Sequence, residues 1–153
     1  MNITDDSVSH EVVQNSVQKG LFPQDSALSM VLPRSVWNSL DSLCAAWNFP
    51  IAGLMRLRPW YAATTLSAIA LQRTGIDASL GVDVVLLDRA ADEGKNIVAL
   101  ETAEEQITSV AGDGSSDSSG VYYLKSTLRE IADLDSMVAR LIRAWKTGDK
   151  VLL

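Results

Sequence analysis

Apolar residues recur every three or four positions in the carboxyl-terminal part of the chain. They are Val121, Leu124, Leu128, Ile131, Leu134, Val138, Leu141, Ile142 and Trp145. This spacing predicts one long amphipathic helix with a single apolar face, ending at Gly148. Five cations follow the other face: Lys125, Arg129, Arg140, Arg143 and Lys146. The simplest interpretation of these cations is a solvated helix surface.

Two helices are predicted in the first half of the chain. The first begins at Pro33 and ends before Pro50, and its apolar positions are Val36, Trp37, Leu40, Leu43, Cys44 and Trp47. A tryptophan stripe at this spacing is more typical of a core than of a ligand platform. The second helix spans residues 60–73 after Pro59, a residue suited to the first helical turn. It is apolar nearly all round, which predicts burial against several neighbours.

A further helix is predicted over residues 81–93. Its apolar positions Val82, Val85, Leu86 and Ala90 are expected to face inward. Gly94 stops this helix, and a short strand is predicted at residues 97–100. A second helix, 103–110, begins at once, because Thr102 followed three residues later by Glu105 forms a capping box.

Glu101 is the candidate site residue. It stands between the predicted strand and the capped helix, and α/β sheets usually bind ligands at the carboxyl ends of their strands. We therefore consider Glu101 a candidate ligand-binding carboxylate. The alternative is a helix–strand–helix connector in which Glu101 is merely solvated.

Two segments have compositions that do not suit a packed core. Residues 1–27 are polar and acidic and predict a loosely held N-terminal arm, with His10 as a solvated histidine. Residues 112–120, rich in Gly, Ser and Asp, predict a mobile loop. The loop lacks the lysine of a phosphate-binding loop, so a linker is the preferred interpretation. The remaining residues, 28–150, are expected to form one helical unit.

The composition of the chain limits the kinds of partner that it could bind. A chain of 153 residues with 47% hydrophobic content can bury a core, and its net charge of −6 argues against nucleic acid as a partner. Cys44 is the single cysteine, so no internal disulfide forms, and its apolar neighbours indicate a buried thiol. The acidic amino terminus is unlike a secretory signal, and no apolar stretch reaches the roughly 20 residues of a membrane span. The compartment is left open.

Several short motifs give the chain a resemblance to a known family. They are Pro59-Trp60 before an Ala/Thr/Leu helix, Gly75-Ile76-Asp77, Leu80-Gly81-Val82-Asp83, Gly94-Lys95, Leu100-Glu101-Thr102 with Glu105-Gln106, and Trp145 with Gly148-Asp149. In order and spacing, over about residues 28–150, they resemble the middle of a TraB/GumN-family protein. That family includes proteins linked to conjugation-pheromone shutdown, proteins of exopolysaccharide gene clusters and Tiki-type proteases.

The resemblance implies a fold and a chemistry. The parent would be an α/β protein like ChaN and the erythromycin esterases, of which this chain is the helical central portion. The present chain is thus expected to be mainly α, with one or two short strands. The implied activity is metal-dependent hydrolysis, protease-like, at two Gly-x-x-His motifs, acidic residues and an arginine. Glu101 matches an acidic position of that site, as metal ligand or general base. Mn, Co and Zn all accept such mixed ligands, and the substrate would be a peptide or protein.

The chain departs from the family pattern in its histidines. Its one histidine, His10, has Ser7 where the motif requires glycine, so neither Gly-x-x-His motif is present. We therefore expect a truncated product that binds no metal and is inactive on its own. The alternative is a non-catalytic binding or regulatory module that forms a homo-oligomer or binds a protein partner. The helices around Trp37, Trp60 and Trp145 would wall a substrate cleft in the first case and offer apolar surface in the second.

Overall fold

The computed structural model describes residues 17–111 and 116–149. The chain is helical at residues 17–20 and then forms α1 (Leu28–Val31), α2 (Arg34–Trp47), α3 (Pro59–Arg73), α4 (Val82–Asp92), α5 (Ala103–Ala111) and α6 (Ser118–Thr147). Single 3-10 turns lie at Ile51–Leu54 and Ala78–Leu80. The mainly helical fold expected from the sequence is confirmed, and α2, α3, α5 and α6 lie where apolar periodicity and capping residues predict them.

The centre of the molecule is the pair α3 and α6, which start side by side and run in the same direction. At the start of α6, Gly120 lies so close to α3 that a Cβ atom there would approach the Trp60 backbone nitrogen to 2.9 Å. The Arg58 Nη1 to Asp117 Oδ1 ion pair, at 2.9 Å, joins the two helix starts. Farther along, Leu66 and Leu128 belong to one buried cluster. Small residues at the crossing thus allow the two backbones to approach closely.

The core around α3 and α6 is completed by residues 20–32 and by α2. The buried residues of these two segments are Phe22, Leu28, Leu32, Val36, Leu40 and Cys44. The backbone N–H of Phe22 donates to the Arg56 carbonyl at 2.8 Å, and that of Arg58 donates to the Gly20 carbonyl at 2.7 Å. From Gly20 onward the chain is therefore packed and hydrogen-bonded, unlike the loosely held arm predicted for residues 1–27. Residues 1–16 of that arm lie outside the described residues.

The strand predicted at residues 97–100 is not formed, and that prediction was wrong. The segment lies outside any helix, and the isolated antiparallel bridge between Leu21 and Leu57 is the sole β pairing within the described ranges. Val98 is 67% exposed and Leu100 fully exposed. A strand is stable only beside another strand, and no neighbour is provided here.

The inward face predicted for α4 was also wrong. Val82, Val85 and Leu86 are 52–73% exposed, and α4 has no buried residue. Among the described elements, α4 makes its main contact with the short 3-10 turn Ala78–Leu80, and no long helix packs extensively against it. Periodicity shows which residues favour burial, but it does not supply the partner that would bury them.

The loop predicted at residues 112–120 ends earlier than expected. Ser118–Gly120 already belong to α6, because Gly120 packs against α3, and residues 112–115 lie outside the described part. The predicted helix end is confirmed: Gly148 has φ +68°, the left-handed conformation that favours glycine after a helix.

Candidate functional site

Glu101 lies at the entrance to α5, and the cap beside it has the geometry predicted from the sequence. The Thr102 backbone N–H donates to Glu105 Oε2 at 2.7 Å, and the Glu105 N–H donates to Thr102 Oγ1 at 3.2 Å. The Thr102 hydroxyl also donates to Glu105 Oε2, at 2.8 Å. These bonds from the Thr102 backbone and hydroxyl hold the pKa of Glu105 below its usual value. The Glu105 carboxylate therefore has a structural role, as part of the cap of α5.

Glu101 differs from the two carboxylates that follow it in α5. Glu105 closes the cap, and Glu104 Oε1 pairs with Lys19 Nζ at 2.9 Å. Glu101 is exposed and makes no hydrogen bond or ion pair to another described residue. Of the three, Glu101 is thus the carboxylate left available for a ligand.

A metal site is not assembled around Glu101 by the described part of the chain. Among residues 17–111 and 116–149, no three His, Cys, Asp or Glu side chains lie together in a way that could hold an ion. Hydrolytic metal sites take several converging ligands and keep a position open for water. The described residues on their own therefore do not supply the ligand set of a metal ion. His10 lies outside the described residues.

Cys44 lies in the core of the molecule, as its neighbours in the sequence predict. Burial, with a smaller effect of Asp41, raises the pKa of the Cys44 thiol above its usual value. Since the thiolate is the nucleophilic form, this cysteine is poorly suited to nucleophilic catalysis.

The tryptophans do not share one cleft. Trp60 is buried against the start of α6 at Gly120, and Trp145 is 79% exposed near the end of the same helix. At about 1.5 Å of rise per residue, the 25 positions from Gly120 to Trp145 span roughly 38 Å. Trp60 and Trp145 therefore cannot line the same small pocket, whereas Trp37 is half-buried on the core.

A groove between α2 and α6 was missed by sequence reasoning. Its volume is about 530 Å³, and it is lined by Ser35, Val36, Ser39, Ser42, Leu43, Lys125, Leu128, Arg129 and Ala132. The three serines recur at helical spacing, which was the available signal, but only the tertiary fold brings Lys125 and Arg129 beside them. The lining contains no carboxylate, histidine or cysteine, so no general base is present to activate a serine. A groove that combines hydroxyl groups and cations with apolar side chains is better suited to binding an anion than to catalysing a reaction.

Comparison with known proteins places the chain in a family. The sequence profile of the TraB/PrgY/gumN family matches residues 1–151, so the chain belongs to that family and the resemblance seen in its motifs is confirmed. No curated protein and no solved structure matches the chain. Within the described residues, no helix is both long and apolar enough to cross a lipid bilayer.

Proposed function

We propose that this chain is the central helical portion of a TraB/PrgY/gumN-family metal-dependent hydrolase, to which it contributes one active-site residue, Glu101. Family membership supports the class of protein. The observation that carries the role of Glu101 is its position. It is the one acidic residue at the start of α5 that no other described residue engages, whereas Glu104 and Glu105 are both paired. In the complete site, Glu101 would bind the ion or act as general base.

The chain by itself is proposed to be inactive. The single histidine, His10, does not belong to a Gly-x-x-His motif, and among the described residues no three ligand side chains come together with Glu101 to hold an ion. The rest of the site, with its Mn, Co or Zn ion, would come from other segments of a full-length protein. This proposal also includes a peptide or protein substrate and a link to polysaccharide biosynthesis. Both rest on family membership alone.

The role of Glu101 is tested in a longer protein that carries this chain between two Gly-x-x-His segments. Glu101→Gln removes the charge and keeps the shape, and we expect peptide hydrolysis to fall by at least about 100-fold, the size of a lost ligand or general base. Glu104→Gln is the matched control, since Glu104 is an exposed glutamate at the start of α5 that pairs with Lys19. Equal rates for wild type and Glu101→Gln would overturn the assignment.

A second candidate function is a non-catalytic module that self-associates or binds a protein partner. It is favoured by apolar side chains that the described fold leaves uncovered, on α4 and near the end of α6. Large exposed apolar patches on a folded chain mark interaction sites. Sedimentation velocity of the purified chain separates this candidate from a solitary monomer.

A further inference from the structure

The apolar face of α6 continues past the point where α3 ends. Both helices start together, but α3 has 15 residues and α6 has 30. Leu124 and Leu128 in the first half of α6 are buried in the shared core. In the second half, Val138 and Ala144 are still buried, but four apolar side chains around Val138 are 46–79% exposed: Met137, Leu141, Ile142 and Trp145. We name these four residues the α6 end face.

The second uncovered apolar surface is α4. Val82, Val85 and Leu86 lie on one side of this helix and are 52–73% exposed. None of the long helices packs extensively against α4 in the described structure. We name these three residues the α4 face. A single chain thus carries two apolar helix surfaces that lack a cover among the described residues.

The charges beside these two surfaces are opposite. The helix turns of the α6 end face carry Arg140, Arg143 and Lys146, and α4 carries Asp83, Asp88 and Asp92. None of these six side chains forms an ion pair with another described residue. The remaining charges of α4 are already paired, since Arg89 Nε lies 2.9 Å from Glu93 Oε1. Three free positive and three free negative charges therefore accompany the two faces.

We infer that the α4 face packs on the α6 end face of a second copy of this chain. Charge selects this pairing: two α6 end faces would bring their cations together, and two α4 faces their aspartates, and like charges across an interface suppress wrong partners. Each copy carries both surfaces, so two copies can make the contact twice around a twofold axis and leave neither surface open. This inference rests on the second candidate function, self-association.

Charge-reversal variants of the whole chain test the pairing. The first variant combines Asp83→Lys, Asp88→Lys and Asp92→Lys, and the second combines Arg140→Glu, Arg143→Glu and Lys146→Glu. By sedimentation velocity, we expect wild type to dimerise and each variant alone to dimerise at least about 100-fold more weakly. An equimolar mixture of the two variants should dimerise again, because both contacts then join opposite charges. Far-UV circular dichroism checks that each variant keeps its helices.

The matched control reverses two cations in the first half of α6, Lys125→Glu with Arg129→Glu, and should leave the dimer unchanged. Dimers that persist in both charge-reversal variants would overturn the α4–α6 pairing while leaving self-association in place. A wild-type chain that is monomeric at every concentration would overturn the pairing together with the self-association on which it rests. If wild type dimerises but the mixture stays monomeric, the α4–α6 pairing would be contradicted.

Discussion

The two halves of α6 carry the same apolar pattern and have different surroundings. In the first half, Leu124 is fully buried beneath α3. In the second half, Val138 and Ala144 are still buried, but Leu141 is 53% and Trp145 79% exposed. The apolar pattern shows which residues favour burial, but neighbouring segments are needed to bury them. The exposed apolar residues near the end of α6 are therefore a surface that the described residues do not cover.

The same difference separates α3 from α4. Both are rich in apolar residues, but α3, which packs on α6, buries Trp60, Ala62 and Leu66, and α4 buries none of its residues. Glu101 lies between α4 and α5. We call the core around α3 the packed region, and α4, the start of α5 and the end of α6 the open region. The packed region stabilises the fold, and the open region contains the candidate site and the candidate interface.

The sharpest contrast between the regions is between two tryptophans. Trp60→Ala should lower the free energy of unfolding by about 3–5 kcal/mol, because a large buried ring leaves a cavity. Trp145→Ala should cost less than about 1 kcal/mol in the monomer, since most of that ring is already in water. Urea titration at a concentration low enough to keep the chain monomeric measures both. Similar losses for the two variants would erase the distinction between packed and open regions.

A single methyl group tests the close approach of α3 and α6. In Gly120→Ala the new Cβ would lie 2.9 Å from the Trp60 backbone nitrogen, so the helices must move apart. Overpacking of this kind costs about 1–3 kcal/mol, which thermal unfolding would detect. Gly53→Ala is the control, because its Cβ would meet the Phe49 ring at an ordinary 3.8 Å. A Gly120→Ala chain as stable as wild type would contradict the crossing described here.

The half-buried ion pair between Arg58 and Asp117 should contribute less. Asp117→Asn keeps the shape and removes the charge, and we expect a loss of about 1 kcal/mol, near the upper end for such pairs. Glu93→Gln breaks two exposed pairs on the open side, with Arg89 and with Lys95, and should have a smaller effect. Thermal unfolding at low and high salt distinguishes them, since salt should weaken the Glu93 contacts more. A larger loss for Glu93→Gln would reverse the ranking of the two regions.

The smallest expected effect concerns the cap of α5 and depends on pH. The bonds from Thr102 lower the pKa of Glu105 in the folded state, so Glu105 stabilises the fold above its unfolded-state pKa. That contribution is lost as pH falls through the lowered, folded-state pKa. In Thr102→Ala, a carboxyl NMR titration should show the pKa of Glu105 moving back toward its usual value. An unchanged titration would mean that the hydroxyl bond does not form in solution.

Local features explain what could be predicted from the sequence. The boundaries of α2, α3 and α6 follow from Pro33, Pro59 and Gly148, and that of α5 follows from its capping box, all of which act within one helical turn. The predicted strand at 97–100 and inward face of α4 depended on neighbours far along the chain. The groove between α2 and α6 was missed for the same reason, because it joins side chains about 90 positions apart.

The central claim is that this chain alone contributes one carboxylate, Glu101, to a site that other segments complete. Calorimetric titration of the purified chain with Mn²⁺, Co²⁺ and Zn²⁺, beside Glu101→Gln, tests it most directly. We predict only weak, non-stoichiometric binding that is the same in both proteins. Tight one-to-one binding that disappears in Glu101→Gln would show that the chain completes a metal site by itself or within a dimer, and would contradict the claim.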